Sequence, residues 1–130
     1  MKRILLPLIL ITSLFSILSC AQPAQESVVY VKITAEEARE MIENENVVIL
    51  DVRTQEEFNE GHIPNAILLP SFEVQASAQY VIPDKDQIII VYCQRGRRSE
   101  ESARVLIELG YTRVYDIGGI VDWDGEVVTN

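Results

Sequence analysis

The 130-residue chain predicts a single α/β domain, with a central, mostly parallel sheet flanked by helices. Three observations predict it. Val47-Val48-Ile49-Leu50 and Ile88-Ile89-Ile90-Val91-Tyr92 are continuous apolar runs, the pattern of strands buried on both faces. Helix-forming segments with capping signals alternate with the strand candidates. The most apolar strand ends at Cys93, and a short arginine-rich turn and a helix follow at once.

The elements follow in order. Val28 to Ile33 reads as a strand. Thr34-Ala35-Glu36-Glu37 is a capping box, and Ala35, Ala38, Met41 and Ile42 give helical spacing to about Asn44. Val47 to Leu50 is a strand ending at Asp51. Thr54-Gln55-Glu56-Glu57 is a second capping box, opening a short helix that Gly61 can close. Ala66 to Leu69 is a short strand before Pro70, and residues 71–80 read as a modest helix. Pro83-Asp84-Lys85-Asp86 is a turn. Ile88 to Tyr92 is a strand, and Ser99 to Leu109 a helix with Gly110 at its C-terminus. Glu100, Arg104 and Glu108 are spaced for i,i+4 pairing on that helix. Thr112 to Tyr115 is the last strand, before Asp116-Ile117-Gly118-Gly119-Ile120. Ligands of parallel α/β sheets bind beyond the C-terminal ends of the strands, where Asp51 and Cys93 fall.

The first 19 residues have a different character. Lys2 and Arg3 precede an uncharged apolar stretch from Ile4 to Leu18, too short for a comfortable membrane span and shaped like a secretory signal. Its end, Leu18-Ser19-Cys20, resembles a bacterial lipoprotein lipobox. That resemblance makes Cys20 the lipidated first residue of the exported chain, held to a bacterial membrane on its periplasmic or outer-surface face. An ordinary cleaved signal and an uncleaved anchor are the alternatives. The expected organisation is a signal at 1–19, a tether at 20–27, a domain at 28–125 and a tail at 126–130.

Removing the signal takes Lys2 and Arg3 from the 11 basic residues, leaving 9 against 20 acidic, a net charge of −11. Such a chain repels nucleic acid. Arg95, Arg97 and Arg98 stand out against that field as a small-anion site. With Cys20 lipidated, Cys93 is the one free thiol of the exported chain, and no internal disulfide can form. Two Cys and one His do not build a Cys-type zinc site, and no metal or cofactor is expected.

The segment Cys93-Gln94-Arg95-Gly96-Arg97-Arg98-Ser99 carries the chemistry. An unperturbed thiol, with a pKa of about 8.5, is only slightly ionised at neutral pH. Backbone N–H groups, a helix N-terminus and nearby guanidinium groups all stabilise a thiolate. The same donors bind an anion beside it. Gly96 permits the backbone to turn its N–H groups inward. A buried structural cysteine is the competing reading, against which the three arginines speak.

Residues 28–125 resemble a single rhodanese-like domain. The loop from Cys93 to Ser99 matches the family's Cys-x-x-Gly-x-Arg-Ser pattern. Leu50-Asp51-Val52-Arg53 is similar to its strand-end Asp-Val-Arg. Glu57-Phe58 with Gly61-His62-Ile63-Pro64-Asn65-Ala66 is similar to its Gly-His-Ile-Pro-Gly-Ala segment, with Asn65, which tolerates left-handed backbone, in place of glycine. Gly118-Gly119-Ile120-Val121-Asp122-Trp123 is similar to its closing Gly-Gly-Ile-x-x-Trp.

The resemblance implies a sulfurtransferase. Cys93 would take sulfane sulfur from a small anionic donor such as thiosulfate, hold it as a persulfide, and yield it to a thiol or cyanide. Gln94 to Arg98 would bind substrate, with Arg95 and Arg97 attracting the donor and Arg98 free to pair with an acid instead. Asp51, Arg53 and Ser99 would support the loop. His62 reads as a turn cap rather than a base, and Phe58 and Trp123 as core. Tyr92 either packs or donates a hydrogen bond. The chain is expected to act as a monomer. A phosphatase-like Cys-x5-Arg loop needs five intervening residues; Cys93 and Arg98 enclose four. A non-enzymatic persulfide carrier, redox sensor or partner-binding module is the reading from another class.

Overall fold

A computed structural model describes residues 29–130; the proposed signal at 1–19, Cys20 and the tether at 20–27 lie outside these residues. Five parallel strands form one sheet in the order β1-β5-β4-β2-β3. They are β1 (Val31–Lys32), β2 (Val47–Asp51), β3 (Ile67–Leu68), β4 (Ile88–Cys93) and β5 (Val114–Gly119). The helices are α1 (Ala35–Asn44), α2 (Gln55–Glu60), α3 (Val74–Val81) and α4 (Arg97–Glu108).

β4 lies at the centre, and all six of its residues are buried. Its side chains alternate between two cores, as a strand's period of two requires. Ile89, Val91 and Cys93 pack with Val74 and Ala78 of α3 and Ala103 and Leu106 of α4. Tyr92 faces the other way and packs with Ile49 and Ile63, flanked by Ile42 of α1 and by Trp123. From β2 the chain moves outward to β3, and from β4 it moves the other way to β5. The C-terminal ends of β2 and β4 therefore flank the point where strand order reverses, the usual place for a ligand.

Both capping boxes form. The Thr34 and Thr54 side chains accept from the Glu37 and Glu57 N–H groups, and those carboxylates accept from the threonine N–H groups. The close of α4 is a Schellman turn: Tyr111 N–H reaches Leu106 O and Gly110 N–H reaches Ile107 O, at 3.1 and 3.0 Å.

Some boundaries differ from the expected ones. Of the strand expected from Val28 to Ile33, Val28 lies outside the described residues and only Val31–Lys32 pair, as an edge strand beside β5. The helix expected over 71–80 opens as a 3-10 turn, Ser71–Glu73, behind Pro70, and becomes α-helical at Val74. The last strand runs on to Gly119, because β4 offers it partners as far as Cys93. Asp116, expected beyond that strand, is 2% exposed within it. The residues read as a tail include Val128, which exchanges two 2.9 Å backbone hydrogen bonds with His62. Trp123 is partly buried against the second core, and its indole N–H donates to Glu126 O.

Deleting residues 126–130 removes these bonds and the packing of Val127 over Gly61. The expected loss is about 2 kcal/mol, or a melting temperature roughly 10 °C lower. Calorimetry on the full and shortened chains checks this; an unchanged melting temperature would mark the segment as dispensable.

Candidate functional site

Cys93 is the last residue of β4 and pairs across the sheet with Gly119. Its thiol is 1% exposed yet lines an open cleft of about 540 Å³, with Glu57, Gln94, Arg95, Arg97, Arg98 and Glu101 as the other walls. The sulfur therefore lies at the base of the cleft. Sγ accepts a hydrogen bond from Gly96 N–H at 3.0 Å. Gly96 adopts φ +102°, a left-handed conformation that side-chain-bearing residues rarely take, and this turns its N–H back onto the sulfur.

Gly96 is also the N-cap of α4, which starts at Arg97, two residues before the expected Ser99. Among the described residues no side chain caps this helix, in contrast to α1 and α2. Its first-turn N–H groups and the positive end of its dipole are left at the loop. Arg97 and Arg98 occupy that same turn, where cations are electrostatically disfavoured. Carboxylates compensate. Glu57 takes a bidentate ion pair from Arg98, with both N···O distances at 2.7 Å. Arg97 Nε lies 3.1 Å from Glu101, one turn along, and that pair is largely exposed. Among the described residues, Arg95 has no carboxylate within ion-pair distance, and it is exposed at the cleft.

A buried polar frame holds the loop from the β2 side. Arg53, 3% exposed, forms a bidentate pair with Asp51 and donates to Gly61 O at 2.6 Å and to Gln94 Oε1 at 3.1 Å. Tyr92 Oη accepts from Ile63 N–H at 3.1 Å. Burial, and secondarily the Asp51 carboxylate, push the Tyr92 phenol far above its ordinary range, so it stays neutral. His62 is buried, stacks on Phe58 at 3.7 Å, and its Nδ1 bonds Phe58 O. It holds a turn and is not among the residues that line the Cys93 cleft. Ser99 Oγ lies 3.0 Å from Gly96 O and 3.3 Å from Gly118 O, and its one proton is shared between these two acceptors.

The structure thus brings Cys93, Gln94, Arg95, Arg97 and Arg98 to one cleft and places Asp51, Arg53 and Ser99 behind it. The residues from 34 to 126 match the family model for the rhodanese-like domain. The chain belongs to the rhodanese-like family. It is 38% identical over 73 residues to the thiosulfate sulfurtransferase PspE of Escherichia coli, covering 56% of this chain and 70% of that one. It is 37% identical over 95 residues to the thiosulfate sulfurtransferase GlpE of Coxiella burnetii, covering 72% and 87%. A solved rhodanese with anions from E. coli superposes with a TM-score of 0.61 at 35% identity, covering 64% of this chain and 98% of that one.

The sequence reading of this rhodanese-like domain did not find two contributors. Glu57 was legible as a helix cap and as part of a family motif, but not as the partner of Arg98, 41 residues away. Asp116 gave a faint signal, an acid two residues before Gly118-Gly119, and its burial was not foreseen.

Arg98, together with the capping bonds from Thr54, holds the Glu57 carboxyl at about 2, against an ordinary 4.5. A carboxyl lowered in this way stabilises the fold above about pH 4.5 and loses that contribution as pH falls towards 2. Glu57→Gln keeps an acceptable cap but removes the charge. After solvent screening of this partly exposed pair, the variant is expected to lose about 1 kcal/mol at pH 7. Its deficit should shrink as pH falls from 4.5 towards 2. Urea melts across that range check it; a pH-independent deficit would deny the ion pair its role.

Proposed function

We propose that the chain is a sulfurtransferase that carries sulfane sulfur as a persulfide on Cys93. The observation that carries this reading is the sulfur itself. It sits at the base of an open cleft, under the Gly96 N–H, at the uncapped start of α4. That setting favours a sulfur anion and an anionic reactant together.

The Cys93 thiolate attacks the outer sulfur of thiosulfate. The new S–S bond forms as the old one breaks, and sulfite leaves with the bonding pair. Cyanide, or a thiol in the cell, then takes the outer sulfur and returns Cys93 to the thiolate. With cyanide the product is thiocyanate. The chain's own residues bind and orient: Gly96 N–H holds Sγ, the first-turn N–H groups of α4 face the added sulfur, and Arg95 draws in the donor anion. Arg97 assists at the rim, weakened by Glu101. Arg98 fixes the loop to α2 through Glu57, and Gln94 is held by Arg53. No cofactor is required by this cycle, whose intermediate is covalent. The names of the E. coli and C. burnetii relatives support thiosulfate as a donor.

Intact mass after thiosulfate should rise by one sulfur atom, which cyanide removes and Cys93→Ser abolishes. No gain from thiosulfate or from organic persulfides would favour a binding module over an enzyme. Arg95→Ala should raise the KM for thiosulfate about tenfold with kcat little changed, since an exposed cation acts mainly on anion capture. A fall in kcat alone would place Arg95 at the reacting atoms instead.

A further inference from the structure

We infer that Asp116 is a positioning residue for Cys93, acting through a β-bulge that braces the active loop; this rests on the sulfurtransferase reading above. In β5, Asp116 pairs with Val91 but Gly118 pairs with Tyr92, so Ile117 has no partner on β4. Bulges re-aim a strand end and recur beside active sites. Asp116 holds this one: its Oδ1 accepts from Gly118 N–H at 2.8 Å, and Gly118 takes φ +78°.

The bulge delivers two glycines against the loop. A Cβ on Gly119 would lie 2.5 Å from Gln94 O and 2.7 Å from Arg95 Cα, both backbone atoms, so only glycine allows this approach. A Cβ on Gly96 would lie 3.5 Å from Gly118 Cα. The Ser99 hydroxyl bridges the Gly96 and Gly118 carbonyls. Gly96, so held, donates to the Cys93 sulfur. An unbroken chain of short contacts therefore runs from Asp116 to Sγ.

The carboxylate's other oxygen supports a reason beyond folding. Asp116 is 2% exposed, and its Oδ2 has no hydrogen-bond partner among the described residues. An unpartnered buried carboxylate oxygen is destabilising, so the side chain's contribution lies in the acceptor it gives Gly118.

The test compares Asp116→Asn, which keeps the Oδ1 acceptor, with Asp116→Ala and Asp116→Leu, which remove it. Single-turnover sulfur loading from thiosulfate on the full chain separates two quantities. The amplitude reports the folded fraction, and the rate constant reports geometry in the folded molecules. The rate constant should fall about tenfold or more in the Ala and Leu variants, with half-saturating thiosulfate unchanged. The Asn variant should load within about twofold of the parent rate, the size of effect left when the hydrogen bond survives. Amide hydrogen exchange reads the same chain of contacts without any donor. Exchange at Gly118 and Gly96 should quicken in Asp116→Ala and not in Asp116→Asn. Loss of amplitude alone, failure of both Ala and Leu variants to fold, or unchanged exchange at Gly96 would each overturn the assignment. If the parent chain itself takes no sulfur, the sulfurtransferase reading fails, and the exchange data still decide the role of Asp116.

Discussion

The burial of β4 on both faces is the constraint on which the rest depends. A strand flanked by β2 and β5 and covered on each side has no polar exit for its backbone except along its own axis. Its end is therefore where the backbone first meets solvent, and Cys93 stands at that end. The alternation that sends Ile89 and Val91 towards α3 and α4 also sends the thiol to that side, while Tyr92 is sent to the polar frame of Asp51 and Arg53. Core and site thus share one strand and one register.

Around this strand end, charges are arranged in matched sets. Arg53 answers Asp51 in the interior, Arg98 answers Glu57 at the edge, and Arg97 answers Glu101 at the rim. The progression runs from buried to exposed, and the strength of the pairing should fall with it. Arg95 is left without a carboxylate partner among the described residues, beside the first-turn N–H groups of a 12-residue helix. In a chain with 20 acidic residues the attraction of these groups for an anion is local and short-ranged, while the net field is spread over the surface.

Much of this was legible in the sequence. The apolar runs located β2 and β4 because strands buried on both faces leave a compositional mark that needs no partner to interpret. The two threonine capping boxes located the starts of α1 and α2, because a cap is a local interaction between residues three apart. The Cys93 loop was legible for the same reason: thiol, glycine and arginines sit within seven consecutive residues. The rest was not local. Nothing near Arg98 names Glu57 as its partner, and nothing near His62 names Val128. The length of β5 depended on how far β4 continued beside it, and the burial of Asp116 depended on that length. Arg97 looked equivalent to Arg95, and only the helix start at residue 97 placed it one turn from Glu101.

The pairings of the two ends of the described chain have a kinetic meaning. β1 joins the sheet only through β5, so Val31 waits for Tyr115; His62 likewise waits for Val128. Among the described residues the five strands pair in parallel with one another, and none of these pairings can close through a tight hairpin. Such a topology places much of the loop-closure entropy before its rewards, which makes parallel pairing intrinsically slow to form. During synthesis, the segment bearing Cys93 leaves the ribosome before the residues that close over its neighbours. The loop after Cys93 therefore gains the backing of Gly118 and Gly119 only once β5 has paired with β4.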